Sequence, residues 1–122
     1  MPNPANGIGS VLAQGVAGTS ATAIYGPVQG TNAQVEVRGL VFSNESGAAT
    51  TISYGVGDSG STVGAAGTSQ GKSVAIGAAG STTAIIDASE VEEFVLGVGD
   101  YVWAQAGAGS AVAYTLNGIV YQ

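Results

Sequence analysis

No window of this 122-residue chain carries the sustained, capped apolar stripe of an amphipathic helix. Apolar residues recur instead at every second position, in short runs interrupted by turn residues. A period of two places successive side chains on opposite faces of an extended strand. The last run alternates most clearly: Val112, Tyr114, Leu116 and Val120 face one way, Thr115 and Asn117 the other. With 21 glycines available to turn the chain, the pattern specifies an all-β fold.

About eight strands are expected, over residues 19–25, 34–43, 49–56, 73–76, 81–87, 91–98, 101–106 and 112–120. That many short strands predicts a single antiparallel β-sandwich or a jelly-roll-like barrel. In the second run Val35 and Val37 share one face, and strict alternation would put Leu40 and Phe42 on the other. A β-bulge at Gly39 would return both pairs to the core. Asn44-Glu45-Ser46-Gly47 then reads as a turn. In the third run Thr50, Ile52, Tyr54 and Val56 line one side. The glycine-rich stretch 57–71 reads as a long loop or loose edge, and residues 87–90 as one helical turn at most. Residues 1–17, with two prolines, three glycines and no period, read as an irregular N-terminal arm ahead of a β-sandwich domain over 18–122.

Composition narrows the function classes. The chain has no cysteine and no histidine, which removes thiol nucleophiles, histidine bases and the usual zinc ligand sets. Two basic residues against eight acidic ones, net −6, exclude the phosphate neutralisation that nucleic-acid binding requires. The same balance disfavours anionic membranes. Neither a signal peptide nor a transmembrane helix is expected, because the stretch from Ile8 to Val16 is broken by Gly9, Ser10, Gln14 and Gly15. Charged residues are only 8% of the chain, against roughly 25% in ordinary soluble domains. A surface so poor in charge suits packing against copies of itself or a large partner, since few ions need desolvating.

No catalytic group, metal site or cofactor is expected. Glu90, Glu92 and Glu93 are the densest charge, but adjacent carboxylates on a strand point to opposite faces and read as a solvated edge. Asp58 lacks the spaced acids of a calcium loop. Gly7-Ile8-Gly9 opens no phosphate loop, and Gly71-Lys72-Ser73 has Ala66 where such a loop needs glycine. In Leu96-Gly97-Val98-Gly99-Asp100, glycine supplies a positive φ and Asp100 bonds the backbone just before a strand. Tyr101 and Trp103 share one strand face, as a sugar-stacking platform, a subunit contact or core packing.

Several of these elements together resemble the small β-sandwich modules of tailed-phage virion proteins. They are Thr22-Ala23-Ile24-Tyr25, the run from Val35 to Asn44, Ala48-Ala49-Thr50-Thr51-Ile52, the Leu96 to Asp100 turn, and Leu116-Asn117-Gly118-Ile119-Val120. Where that class usually has Pro-Ala-Gly between its first two strands, this chain has Gly26-Pro27-Val28-Gln29-Gly30. The resemblance implies a non-enzymatic capsid decoration (cement) protein on the outer capsid surface of a virion, self-associating as a homotrimer and bound to the major capsid protein. The expected contacts are Pro2, Pro4, Ile8, Val11 and Leu12 of the arm, with Tyr101 and Trp103. Deleting residues 1–17 is then expected to weaken capsid binding while the sandwich stays folded. The alternative is a tail-fibre or receptor- and glycan-binding subunit using Tyr101 and Trp103.

Overall fold

The computed structural model describes residues 10–30, 34–58, 60–65, 68–88 and 95–121, and these form strands and turns without a helix. The strands pair in a nested order, all antiparallel. β1 (Ser10–Val16) pairs with β9 (Val112–Tyr121), and β2 (Thr22–Tyr25) with β8 (Tyr101–Ala106). Inside these, β3 (Gln34–Asn44) pairs with β6 (Ile85–Asp87), and β4 (Thr50–Gly57) with β5 (Ser69–Ile76). First-with-last pairing carried inward is the connectivity of a jelly roll. A ninth strand, β7 (Val95–Leu96), shares the β6 side of β3. One sheet runs β1-β9-β3-β6, the other β2-β8-β4-β5.

Alternation decides which side chains meet between the sheets. Val35, Val37, Leu40 and Phe42 of β3 are all buried, as are Ile52 and Tyr54 of β4, Val102, Ala104 and Ala106 of β8, and Val112 and Leu116 of β9. Both pairs on β3 reach the core because the register slips between Val37 and Gly39, leaving Arg38 as the extra residue. That is the bulge the phase break requires. β1 slips opposite the next step of β9, between Asn117 and Leu116, where Leu12 is extra and half-buried against the core. Gly118 makes room for both irregularities: a Cβ there would meet the Glu36 carbonyl oxygen and lie 2.8 Å from Leu12 Cδ1. Across the sandwich, Phe42 and Tyr54 stack at 5.3 Å with a 37° tilt.

Asn44 is the buried polar side chain that ties one end of this core. Its Nδ2 donates to the carbonyls of Ala48 and Gly77 at 2.9 Å each, and its Oδ1 accepts from Ser46 N at 2.9 Å. The expected turn is therefore an Asx turn, and it also fastens the end of β5. Asn44→Ala removes the side-chain partner of Ser46 N and the Gly77 carbonyl, while the Ala48 carbonyl keeps Ser46 Oγ. It is expected to cost about 2 kcal/mol in urea unfolding, because part-buried groups left unpaired are costly. Ser46→Ala, removing a hydroxyl nearer the surface, is the comparison. Equal losses would mean that the buried network carries no special share of the stability.

Three sequence expectations are corrected. Ser10–Val16 is a sheet strand rather than part of an irregular arm. Lacking an apolar period of its own, it is held by its register with β9, and its unpatterned sequence suits an edge. β5 begins at Ser69 rather than 73, because Gly71 lets the chain pass the Tyr54 ring, which a Cβ would strike. The run over 81–87 is a strand only from Ile85; before it the backbone turns, with Ser81 N bonding Ala78 O at 3.0 Å and Gly80 at φ 87°. Glu90, Glu92 and Glu93, the helical turn expected over 87–90 beyond Ala88, and the first part of the run 91–98 lie outside the described residues.

Candidate functional site

Among the described residues singled out in the sequence, Val11 and the pair Tyr101 and Trp103 fall on opposite faces of the sandwich. Tyr101 and Trp103 sit on the outer face of the β2-β8-β4-β5 sheet, yet both are covered, with 4% and 1% of their surface exposed. The cover is the chain's own β4–β5 loop. Trp103 Nε1 donates to Thr68 Oγ1 at 3.1 Å. The Tyr101 hydroxyl donates to the Ser61 carbonyl at 3.1 Å and lies 2.9 Å from Ser61 Oγ. Val56 N bonds the Thr68 carbonyl at 3.2 Å, closing the loop onto β4.

Two glycines that sequence reasoning passed over make this possible. Gly55 and Gly57 stand directly opposite Trp103 and Tyr101 on β4. A Cβ at Gly55 would overlap the Thr68 carbonyl, and one at Gly57 would enter the Tyr101 ring. The available signal was a strand whose outer positions shrink from Thr51 and Ser53 to Gly55 and Gly57 opposite two large rings. Stacked beneath their own loop, neither ring presents a face to a sugar or a neighbouring subunit.

The outer face of the other sheet is open. Its cross-strand register sets Val16, Ala113, Ser43 and Ile85 in one row over β1, β9, β3 and β6. Val16 is 59% exposed, Ile85 66%, Val11 54% and Val95 51%. Val11 thus points outward, whereas its expected companion Leu12 packs inward. Pro2, Pro4 and Ile8 lie outside the described residues. The charges on this sheet are Glu36, Arg38 and Asp87, all on β3 and β6; β1 and β9 carry none. Glu36 and Arg38 pair at 3.4 Å, and Tyr121 donates to Glu36 at 3.3 Å. Over the neutral β1–β9 half lies a shallow depression of about 420 Å³, lined by Gln14, Val16, Ala113 and Thr115 among others.

Two further hollows are small or chemically plain. One of about 380 Å³ is lined by Tyr25, Pro27, Val28, Gln29, Val35 and Val120 with Gly26, and burial raises the pKa of the Tyr25 phenol. Another of about 190 Å³ holds Lys72 beside Thr51, Ser53, Ser73 and Gln105. Neither brings two titratable groups together, so neither supplies an acid–base pair. Asp100 plays the turn role read from its sequence: its Oδ2 accepts from Gly97 N at 2.8 Å, with Gly99 at φ 91° ahead of β8. Among the described residues no group of three or more Asp or Glu side chains is placed to hold a metal ion.

Comparison with family models, with curated proteins and with solved structures finds no match to this chain.

Proposed function

We propose that the chain is a structural virion protein of a tailed phage, a capsid decoration subunit that self-associates and stiffens the capsid surface. The observation that carries this reading is the neutral β1–β9 half-sheet, which keeps exposed valines while Tyr101 and Trp103 on the opposite sheet are hidden. Exposed apolar side chains grouped on one face mark an interaction surface. A weak site of this kind gains strength through repetition, because each bound copy raises the effective concentration of the next contact. The glycan-binding alternative has no exposed ring to use at Tyr101 or Trp103.

The test is co-sedimentation of the purified chain with capsids assembled from the major capsid protein encoded beside its gene. Binding is expected to saturate at a fixed number of copies per capsomer and to raise the capsid's melting temperature. A chain that stays in the supernatant with both unexpanded and expanded capsids would end this reading.

A further inference from the structure

The four edges of the two sheets are not protected equally. An open edge offers unpaired N–H and C=O groups to any passing strand, so proteins block edges with charge, proline, bulges or short length. β5 carries exposed Lys72 and a bulge where Ser73 takes φ 50°. β6 and β7 are three and two residues long, and exposed Asp87 ends β6. β2 has four residues, a register slip, and Gly26-Pro27 at its end. β1 differs: seven residues, no charge and no proline. Its one irregularity lies at Leu12, and from Ala13 to Val16 it is regular.

We propose that this edge is closed by β1 of a second copy, the two strands pairing antiparallel about a two-fold axis so that the open sheet continues from one subunit into the next. Charge selects the occupant. Two chains of net charge −6 repel each other at long range, so copies meet most easily where neither carries an ion. Along β1 and β9 neither copy presents an ion to the other. An isologous contact also needs a self-complementary patch, which one strand meeting itself antiparallel provides. The exposed Gln14 and Val16 of the two copies then lie side by side on the outer face. This deepens the decoration reading and rests on its claim that the neutral half-sheet is a contact surface. It departs from the trimer that the resemblance implies, since a two-fold contact closes at two.

Size-exclusion chromatography with light scattering tests it on the full chain. The wild type is expected to be a dimer, and Gln14→Glu with Val16→Glu, which places four like charges along the joint, to weaken it on the order of a hundredfold. Ile85→Glu, at the opposite edge, is expected to leave the dimer intact. A monomer at every soluble concentration, a trimer, or a dimer indifferent to the paired glutamates would each overturn the proposal. Amide exchange of the unmodified chain gives a second reading: protection over 10–16 is expected to rise with protein concentration, and its independence of concentration would also overturn the proposal. Capsid co-sedimentation separates the two ideas. A monomeric protein that still binds capsids refutes only the strand pairing, and a dimer that binds none refutes only the decoration role.

Discussion

Gly55→Val is expected to lift the β4–β5 loop off the sandwich and bring Trp103 into water. The position has no slack, because a Cβ there overlaps the Thr68 carbonyl and comes within 2.8 Å of Trp103 Nε1. Backbone cannot yield as the end of a flexible side chain does, so either β4 shifts against β8 or the loop leaves. If the loop leaves, Trp103 loses its bond to Thr68 and Tyr101 loses Ser61. The expected cost is about 3 kcal/mol or more, the size reserved for overpacking at a closed site. As the chain has one tryptophan, its emission reads the loop directly: a red shift and ready quenching are expected, with a lower unfolding midpoint. Gly47→Ala is the control, since a Cβ there meets nothing within 4 Å. A valine variant with wild-type emission and stability would show that the loop does not rest on Gly55.

The same substitution bears on function. The loop separates a sandwich with exposed valines on one sheet from a sandwich that also exposes two large aromatics on the other. With Tyr101 and Trp103 uncovered, the second sheet would also offer a contact surface, and large exposed aromatics invite unselective association. On the proposed decoration role, capsid binding by the valine variant is expected to lose a fixed stoichiometry even where affinity rises.

Much of the fold was legible because period two and turn chemistry are local. The bulge on β3 followed from two apolar pairs out of phase around Gly39, and the Asx turn from Asn44 ahead of Glu45-Ser46-Gly47. β8 was legible to the residue, Tyr101–Ala106, because a turn that uses Asp100 fixes its start. What failed to show was non-local. β1 has no alternation of its own and becomes a strand through β9, more than a hundred positions later in register: Ser10 lies opposite Gly118. The fate of Tyr101 and Trp103 was hidden for a related reason. Their spacing placed them correctly on one face, but whether that face is wet depends on a loop some forty residues away that only two glycines allow to dock. The open sheet shared this limit: Val11 stands exposed opposite Asn117, whereas Val16, Ala113 and Ile85, in another row of the same sheet, are joined only by register.

Deleting residues 1–17 is expected to abolish the cooperative fold rather than trim a free arm. The cut removes β1, which meets β9 at six paired positions from Ser10 to Val16. It also removes Ala17, 2% exposed, whose N–H bonds the Val112 carbonyl at 2.8 Å, and the half-buried Leu12 and Ala13 that pack on the core. β9 is the longest partner of β3 and would become an open, uncharged edge of ten residues. Native domains hold only about 5–15 kcal/mol, and losing a strand's ladder with several core contacts takes most of that. The expected product aggregates or melts without a sharp transition, with weakened near-ultraviolet dichroism from Trp103. This separates two explanations of lost capsid binding. The Gln14→Glu and Val16→Glu chain keeps β1 and is expected to keep a cooperative transition and its near-ultraviolet dichroism, so binding lost there is lost at the surface. Binding lost on truncation follows from unfolding. If residues 18–122 alone melt cooperatively near the midpoint of the full chain, β1 is an appendage of the sandwich and not one of its strands.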